Sequence, residues 1–365
     1  MTRICFFNGV SFWGGGEKWH FETGTYLSLR GHRVYFITQP GGELHQRLKG
    51  TNINELTMTL TNASFLNLFK IGKLVRFFKT NRIETVVFNG SAEVKTGAPA
   101  ARMAGVKAIV YRRGIALPVK STVMNRWLYQ RLITHFLTNS RETSQKLFAH
   151  LGTPMDSGKV RVVYNGIDYD QFASVSRKVP MPDGQPIVLG SAGRLEKQKG
   201  QDYLLQVASI LKSRNIAFQM HIAGEGPLRQ SLERQIKTCG LDDQVHLLGF
   251  VADMRGFFEQ LDIFIFPSLW EGFGYAIAEA MAAGLPVVAF DISSNPEVVE
   301  QNETGFLVAP GQAQALAEKT AVLAKNPRLR LQMGKKGQAR VCARFNRAEQ
   351  LSKLEAYLCE DVLKA

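Results

Sequence analysis

The sequence predicts an α/β protein of two domains, each with a parallel sheet that is covered by helices on both faces. Three observations support this prediction. The chain has 365 residues, about the length of two domains. Short apolar runs alternate with helical patterns twice along it, and the runs are almost continuously hydrophobic, as in strands buried on both faces. Hydrophobic residues make up 45%, enough for packed cores.

The first domain, residues 1–175, is predicted to contain six strands. They lie at residues 4–7, 34–38, 85–88, 108–111, 135–138 and 160–163. A glycine-rich segment from Gly14 to Gly16 follows the first strand and opens a helix, and Gly31 is a stop signal for a helix.

A linker is predicted at residues 174–186, where charges, three prolines and a glycine come together. The second domain, residues 186–346, has predicted strands at 187–192, 219–223, 245–248, 263–266 and 287–290, with helices at 202–214 and 228–238. Residues 347–365 are predicted to form a helix that packs back on the first domain through Leu351, Leu354, Tyr357 and Leu358. Ligands of parallel α/β sheets bind beyond the carboxyl ends of the strands. We therefore expect the site in a cleft where the two Rossmann-like domains face each other.

The net charge of +14 is unevenly distributed along the chain. Residues 1–180 carry 25 Lys and Arg against 10 Asp and Glu, whereas residues 181–365 carry 20 against 21. Such asymmetry indicates that the first half meets an anionic partner. The candidate partners are a membrane surface, a phosphorylated acceptor and a nucleic acid.

Composition also disfavours several protein classes. No apolar run reaches the ~18 residues of a membrane span, and the N-terminus lacks a signal-peptide pattern. The cysteines, Cys5, Cys239, Cys342 and Cys359, are far apart, as expected of buried free thiols in a reducing compartment. We therefore expect a cytoplasmic protein.

The segment from Glu271 to Glu279 is the strongest chemical signal. It follows a predicted strand, contains Gly272 and Gly274, and opens an alanine-rich helix that stops at Gly284. Backbone N–H groups at such a helix start suit a phosphate. At ~1.5 Å per helical residue the two glutamates are ~12 Å or less apart. This spacing suits hydrogen bonds to hydroxyls at two ends of a long ligand better than a carboxylate pair acting on one bond.

Two glycine-rich turns follow earlier strands of the second domain. Arg194 and Lys199 in the first turn offer two cations to a diphosphate, the arginine as a fork and the lysine as a point charge. Gly224 and Gly226 form a second turn that permits close approach. A solvated basic loop and an ordinary turn are the alternatives.

No cofactor or metal is predicted. Gly15 and Gly16 do not belong to a GxGxxG pattern, and no acidic ribose-binding partner is evident, which disfavours NAD. Asp168 and Asp170 match the DxD sequence motif of metal-dependent transferases. In this sequence they belong to an Asn-Gly-Ile-Asp turn, which disfavours metal binding. No His, Cys and Asp cluster has metal-ligand spacing.

Taken in order, these motifs resemble those of the family-4 retaining glycosyltransferases of GT-B fold, of the kind that build bacterial cell-envelope glycans such as lipopolysaccharide. The resemblance covers nearly the whole chain, sharply in the second half and loosely in the first. It rests on Gly14-Gly-Gly-Glu17, Asn165-Gly-Ile-Asp168, Gly193-Arg-Leu…Lys199-Gly200, Gly224-Glu-Gly-Pro227, Gly249-Phe250, Pro267-Ser…Glu271-Gly-Phe-Gly…Glu279-Ala-Met-Ala-Ala-Gly-Leu-Pro-Val-Val288 and Gly305-Phe-Leu-Val308.

The resemblance implies a nucleotide-sugar donor, used as a co-substrate, and assigns roles to matching positions. Arg194 and Lys199 would neutralise the donor diphosphate and the charge that grows on it as the sugar leaves. Glu279 would hold the ribose hydroxyls and Glu271 those of the transferred sugar. The leaving diphosphate would help to deprotonate the acceptor on the same face. The rest of the implied donor-binding set is Gly15, Gly16, Gly224, Gly226, Phe250, Gly272, Phe273, Gly274 and Tyr275.

One position departs from the family pattern. Many relatives carry a histidine near the end of the fourth strand region, whereas this sequence reads Tyr111-Arg112-Arg113-Gly114. We expect Arg113 at that place, where an arginine would bind a charged sugar or an acceptor phosphate. A surface arginine beside a turn is the alternative. The candidate acceptor-side residues are Arg112, Arg113 and Lys120.

The basic first half leaves two interpretations of one helical stretch open. Its cations spread over about 240° of the helix and its apolar residues go nearly all round, so it is either a membrane-surface helix or a buried helix with charged ends. The cations are Lys70, Lys73, Arg76, Lys79 and Arg82. Together with the cations near Trp127, they favour a lipid-linked or phosphorylated glycan acceptor at the cytoplasmic membrane face.

Two other functions are weighed against sugar transfer. A nucleotide-sugar epimerase of the same fold is an alternative, because fold does not fix activity. A nucleic-acid-binding protein is disfavoured, because the positive charge comes with no RNP-like or zinc-finger signature.

Overall fold

The computed structural model describes residues 1–149, 157–173 and 185–364, so the predicted linker at 174–186 lies almost wholly outside the described residues. The chain divides into two compact units. Unit 1 comprises Met1–Asn165 and Ala348–Ala365, and unit 2 comprises Gly166–Arg347.

Unit 1 is built, within the described residues, on a seven-stranded parallel sheet of order β3-β2-β1-β4-β5-β6-β7. A 3₁₀ turn at Ser64–Leu66 precedes α3, and a π-helical turn at Leu128–Leu132 continues α5. The elements are β1 (Arg3–Asn8), α1 (Gly15–Leu29), β2 (Arg33–Thr38), α2 (Glu43–Leu48), β3 (Asn54–Thr57), α3 (Leu68–Thr80), β4 (Thr85–Phe88), α4 (Ser91–Ala104), β5 (Ala108–Arg113), α5 (Val123–Trp127), β6 (His135–Thr138), α6 (Arg141–Phe148) and β7 (Val160–Val162).

The sheet of unit 1 is covered on both faces, as its continuous apolar strands predict. Ile4 and Phe6 of β1 belong to one fully buried cluster, and Cys5 and Phe7 belong to another. Successive residues of a strand point to opposite faces, so the two clusters lie on the two sides of the sheet.

Unit 2 contains a six-stranded parallel sheet of order β10-β9-β8-β11-β12-β13 in its described part. A 3₁₀ turn at Lys197–Lys199 precedes α8. The elements are α7 (Tyr169–Ala173), β8 (Ile187–Ala192), α8 (Gln201–Ser213), β9 (Phe218–Ala223), α9 (Arg229–Thr238), β10 (Val245–Gly249), α10 (Met254–Glu259), β11 (Ile263–Phe266), α11 (Tyr275–Ala282), β12 (Val287–Phe290), α12 (Asn295–Val298), β13 (Gly305–Val308), α13 (Ala313–Ala324) and α14 (Pro327–Phe345).

The C-terminal segment belongs mainly to unit 1. It forms α15 (Arg347–Ala356), a π-helical turn at Tyr357–Asp361 and α16 (Val362–Lys364). Leu354, Tyr357 and Leu358 are buried in the same cluster as Ile4 and Phe6. The segment therefore covers one face of the unit 1 sheet.

The predicted α/β class with parallel sheets is confirmed. Two strands, β3 and β13, are not predicted from the sequence. β3 reads Asn-Glu-Leu-Thr and lies at the sheet edge, where its side chains are partly exposed and hydrophobicity is not required. β13 also lies at an edge, and it begins at a glycine where an added Cβ would lie 2.2 Å from the carbonyl oxygen of Val287.

The structure also corrects two local predictions. Cys239 and Cys342 are exposed, so the expectation of buried thiols holds only for Cys5 and Cys359. Arg82 lies beyond the end of α3 with a φ of 50° and does not share the helix of the other four cations. In the described chain, no helix has both the length and the apolar composition needed to cross a bilayer.

Candidate functional site

The candidate site of unit 2 lies where strand order reverses. β8 is flanked by β9 on one side and by β11 on the other, so the chain winds in opposite directions from this point. Crevices form beyond the carboxyl ends of strands at such a switch point. The loops that leave these ends are residues 193–200 after β8 and residues 267–274 after β11.

The two loops are bound tightly to each other. Gly200 has a φ of 66°, and an added Cβ there would lie 2.2 Å from the carbonyl oxygen of Pro267, so the close approach requires a glycine. Gln198 joins the two loops through both its backbone and its side chain. Its carbonyl accepts from the Leu269 N–H at 2.7 Å, and its side-chain amide donates to the Trp270 carbonyl at 2.8 Å.

Lys199 and Glu271 form an ion pair between the two loops. The Lys199 Nζ lies 2.6 Å from Glu271 Oε1, and the Ser268 hydroxyl donates to the same carboxylate oxygen at 2.6 Å. Glu271 is only 8% exposed. A buried carboxylate without a partner would cost about 3–5 kcal/mol, so the cation and the hydroxyl offset the burial of this side chain.

Arg194 lies apart from this pair. Its side chain is 63% exposed and makes a 3.0 Å ion pair with Glu196. Gln201, the first residue of α8, donates to the Arg194 carbonyl at 2.8 Å and thereby fixes the backbone of the loop. The structure thus brings Lys199 to Glu271 and leaves the Arg194 guanidinium at the surface.

The turn after β9 supports the loop after β8. An added Cβ at Gly224 would lie 1.9 Å from the carbonyl oxygen of Gly193, and one at Gly226 would lie 2.4 Å from that of Leu195. These two glycines are therefore required by packing within unit 2. Phe250, which follows β10, is 79% exposed.

The loop after β11 ends in a helix start. Gly274 has a φ of 77° and is the N-cap of α11, without a side-chain cap. Phe273 is buried against Phe345, with ring centroids 5.4 Å apart, so its side chain belongs to the core of unit 2. Because α11 begins at Tyr275, the helical rise applies only to the last part of the stretch from Glu271 to Glu279.

Sequence reasoning missed three polar residues of the site. Ser268 and Gln198 brace the Lys199–Glu271 pair. Ser268 belongs to the Pro267-Ser motif but has no role assigned from the sequence, and the only signal of Gln198 is its position beside Lys199. Asn295 begins α12, and its Oδ1 is buried without a hydrogen-bond partner among the described residues, near the position of a Cβ at Gly274. A residue that follows the next strand, β12, gives no sequence signal for such proximity.

Unit 1 has a polar group at its own switch point, between β1 and β4. Glu17 accepts hydrogen bonds from the side-chain amides of Asn8 and Asn89, each at 3.2 Å. A Cβ added to Gly16 would lie 3.1 Å from Asn89 Oδ1 and 3.6 Å from an Arg112 guanidinium nitrogen. The start of α1, which includes Gly15, is therefore packed directly against buried polar side chains.

Arg112 and Arg113 lie on opposite faces of the sheet. Arg112 is 4% exposed, with its guanidinium 4.7 Å from the centre of the Trp19 ring. Arg113 donates to the Tyr111 hydroxyl at 3.3 Å and to the Leu117 carbonyl at 3.0 Å. The sequence predicts Arg113 at the position of the family histidine, but the arginine beside the glycine-rich segment is Arg112, because adjacent strand residues alternate in direction.

His20 lies under the same segment. Its Nδ1 is 2.8 Å from the Gly16 carbonyl, and its Nε2 is buried without a hydrogen-bond partner among the described residues. Burial, and then the nearby charge of Arg112, lower the pKa of His20 to about 3. The imidazole is therefore neutral near pH 7, with Nδ1–H donating to the carbonyl.

The Asp168 carboxylate lies 3.5 Å from the Arg347 guanidinium. In the part of the chain that the structure describes, no three His, Cys, Asp or Glu side chains come together as metal ligands would.

Comparisons with known proteins agree with this architecture. The family model described as "Glycosyl transferases group 1" matches residues 173–340, and the model described as "Glycosyltransferase Family 4" matches residues 13–171. The amylovoran biosynthesis glycosyltransferase AmsK of Erwinia amylovora is 36% identical over 200 residues, which are 52% of this chain and 48% of that protein. The chain spans about half the length of the curated relatives it matches.

Solved structures are similar over nearly the whole chain. HepE of Anabaena, in complex with UDP and glucose, has a TM-score of 0.82 at 22% identity and covers 98% of this chain and 100% of its own. A glycosyltransferase from Rickettsia africae has a TM-score of 0.86 at 20% identity and covers 100% and 99%. The fold is therefore GT-B. With both family models matched in sequence, the chain belongs to the family-4 glycosyltransferases.

Proposed function

We propose that the protein transfers a sugar from a nucleotide-sugar donor to a glycan acceptor, with retention of the anomeric configuration. The observation that carries this proposal is the group of Lys199, Glu271 and Ser268 at the switch point of unit 2. It combines a cation with a buried hydrogen-bond acceptor beside the start of α11, where Gly274 provides no side-chain cap, and this suits a ligand that has both phosphates and hydroxyls.

The donor contacts follow from this arrangement. The start of α11 and the Lys199 ammonium bind the diphosphate, and the exposed Arg194 turns from Glu196 to join them. Glu271 accepts hydrogen bonds from hydroxyls of the sugar, and Glu279 accepts those of the ribose. Fixed charges that meet the leaving diphosphate stabilise the transition state more than the bound donor.

Retention is proposed without an enzyme nucleophile. The bond between the anomeric carbon and the diphosphate oxygen breaks, while the acceptor oxygen bonds to that carbon from the same face. The acceptor proton passes to the departing diphosphate. Glu271 is bound by an ammonium and a hydroxyl, which suits a group that positions hydroxyls better than one that attacks carbon. Arg194 and Lys199 supply the charge compensation, so we propose that transfer is metal-independent.

The acceptor is proposed to be an anionic glycan, lipid-linked or phosphorylated, at the cytoplasmic face of the membrane. Residues 1–180 carry the whole positive excess of the chain, and Arg112 is buried beside the glycine-rich segment. The name of a relative from Staphylococcus aureus, the capsular polysaccharide biosynthesis glycosyltransferase CapM, supports a polysaccharide acceptor. We propose no role for nucleic acid.

Donor binding is tested by thermal stability with UDP, GDP and ADP, and with single-stranded DNA as a negative arm. We expect one nucleoside diphosphate to raise the Tm, and Lys199→Ala to lose at least tenfold in affinity for it, since a charge-assisted contact contributes about 1.5–3 kcal/mol. Lys197→Ala is the matched control, because Lys197 is an exposed cation in the same turn. Stabilisation by DNA alone would reject the proposal.

The chemistry is tested with a panel of nucleotide-sugars and NMR of the product anomer. We expect retained configuration and turnover that EDTA leaves unchanged, with Glu271→Ala reducing turnover by about 10²-fold or more. An inverted product, or a donor epimer formed without an acceptor, would exclude retaining transfer.

A further inference from the structure

Two segments of unit 1 expose large apolar side chains to solvent. After β3, Leu66, Leu68 and Phe69 are 71%, 78% and 91% exposed. After β5, Val123 and Trp127 are 86% and 51% exposed. Single exposed apolar residues are ordinary, but groups of them mark an interaction surface.

The two segments lie at the same edge of unit 1. Each follows the carboxyl end of a strand in one parallel sheet, and these ends share an edge. The 3₁₀ turn at Ser64–Leu66 and the π-helical turn after Trp127 both pack against α4. We call the exposed side chains of residues 66–70 and 115–127 the edge surface.

The two stretches of sequence that carry the edge surface have charged residues of one sign only. Residues 94–141 contain nine Lys and Arg and no Asp or Glu, and residues 56–83 contain five and none. With 31 acidic residues in 365, a 48-residue stretch would hold about four by chance. Exposed apolar side chains beside the exposed cations Lys120 and Arg126, in stretches without acidic residues, match an anionic bilayer surface, with its negative headgroups above an apolar interior. A protein partner would need no such uniformity of sign.

A pocket within the edge surface suits the phosphate of a lipid. It is open, has a volume of about 420 Å³ and is lined by Pro118, Val119, Lys120, Ser121 and Arg126. Two cations and a hydroxyl can all donate hydrogen bonds to the oxygens of a phosphate.

The backbone around this pocket is held in place. The Arg126 guanidinium donates to the Ser121 hydroxyl at 2.9 Å, and the Asn125 amide donates to the Lys120 carbonyl at 2.7 Å. Thr122 caps α5 by accepting from the Asn125 N–H. Lys120 on this loop and Arg126 on α5 therefore line one pocket, next to exposed Val123 and Trp127.

We propose that the edge surface docks unit 1 on an anionic bilayer, with a lipid phosphate held between Lys120 and Arg126. Val123, Trp127 and the start of α3 enter the headgroup layer, where tryptophan is favoured because its ring is apolar and its N–H is polar. Lys120 is thereby assigned to the lipid rather than to the glycan. The inference deepens the membrane part of the proposed function and is independent of the transfer chemistry.

The test is co-sedimentation of the whole protein with vesicles of phosphatidylglycerol and phosphatidylcholine, and with pure phosphatidylcholine vesicles. We expect binding to the anionic vesicles that weakens as salt rises. Val123→Glu should reduce binding about tenfold or more, because it places a charge in the apolar contact and repels the lipid. Val322→Glu in α13 of unit 2 is the matched control, since Val322 is 46% exposed, and it should bind as the wild type does.

The phosphate pocket is tested by Lys120→Gln with Arg126→Gln. A cation near an anionic surface contributes about 1 kcal/mol, so the double variant should lose about 25-fold in affinity for anionic vesicles. Lys212→Gln with Lys325→Gln, in unit 2, is the charge-matched control. Failure of the wild type to bind anionic vesicles at low salt, or equal losses in the control pairs, would overturn docking.

These experiments can reject the docking proposal and the transfer proposal independently of each other. Val123→Glu should keep the wild-type rate of donor hydrolysis in solution. Val123 is 86% exposed and belongs neither to the polar group around Glu17 in unit 1 nor to that around Glu271 in unit 2. Vesicle binding without any sugar transfer would reject the proposed function and leave docking intact, whereas transfer without vesicle binding would do the opposite.

Discussion

Glu271 shows how a single side chain gains meaning from its contacts. In the sequence it is one carboxylate in a glycine-rich loop, and nothing in the spacing identifies Lys199, 72 residues away, as its partner. In the structure the two are 2.6 Å apart, and Ser268 completes the group. Burial makes this pairing necessary, because a carboxylate out of water needs a counter-charge.

His20 provides a prediction at the same scale. Its pKa is lowered to about 3 by burial and by Arg112, against about 6.5 in an unfolded chain. Below pH 6.5, His20 is therefore protonated in the unfolded state but stays neutral in the folded state. The free energy of unfolding falls as the pH falls. Between pH 7 and pH 5 this residue should account for a loss of about 2 kcal/mol.

The measurement is urea unfolding of the wild type and of His20→Gln at pH 7 and pH 5. Tryptophan fluorescence reports mainly on unit 1, which holds three of the four tryptophans. We expect the variant to be less stable at pH 7 but to lose about 2 kcal/mol less on acidification. Parallel losses in the two proteins would show that His20 is not kept neutral by the fold.

At the scale of elements, the site is a contact between two loops that leave neighbouring strands. β8 and β11 are adjacent in the sheet but 70 or more residues apart in sequence, so their loops meet only through the topology. The meeting point is Gly200 against the Pro267 carbonyl. A side chain at this position would separate the loops that carry Lys199 and Glu271.

Gly200→Ala should therefore weaken donor binding. Alanine costs about 1–2 kcal/mol in the left-handed conformation alone, and the clash with the Pro267 carbonyl adds to that. Gly31→Ala is the matched control, because Gly31 has a φ of 87° and an added Cβ there meets nothing within 4 Å. Both variants should lower the Tm, but only Gly200→Ala should reduce nucleotide affinity, measured by calorimetry. Equal affinities in the two would contradict the role of the loop contact.

At the scale of the whole molecule, the end of the chain belongs to the unit in which the chain begins. Leu358 is fully buried in the cluster of Ile4 and Phe6, and Thr85 donates to the Leu358 carbonyl at 3.2 Å. Glu355 accepts from Tyr26, Arg30 and His32 at the outer end of the same contact. Unit 1 is thus completed by residues that follow the whole of unit 2.

Leu358→Ala should destabilise unit 1 selectively, by about 2–5 kcal/mol for a buried leucine truncated to alanine. Leu323→Ala is the matched control, since Leu323 is equally buried but belongs to the core of unit 2. Hydrogen exchange followed by peptide mass spectrometry would measure the two units separately. We expect faster exchange in β1 for the first variant and in β8 for the second. The same pattern in both variants would refute the assignment of the segment.

The sequence by itself determined the fold class and the main strands, and it marked the glycines of the loops that follow β8 and β11. Buried parallel strands must be continuously apolar, and glycines must stand where backbones approach closely, so both leave local signals. The edge strand β3 has neither property, which is why the pattern missed it.

Only the tertiary structure decided which residues meet. It paired Lys199 with Glu271, placed Asn295 near the start of α11, turned Arg112 rather than Arg113 toward the glycine-rich segment, and left Arg194 at the surface. The physical reason is that such contacts depend on strand order and on the alternation of side chains along a strand. These are properties of the assembled sheet and have no local signature in the chain.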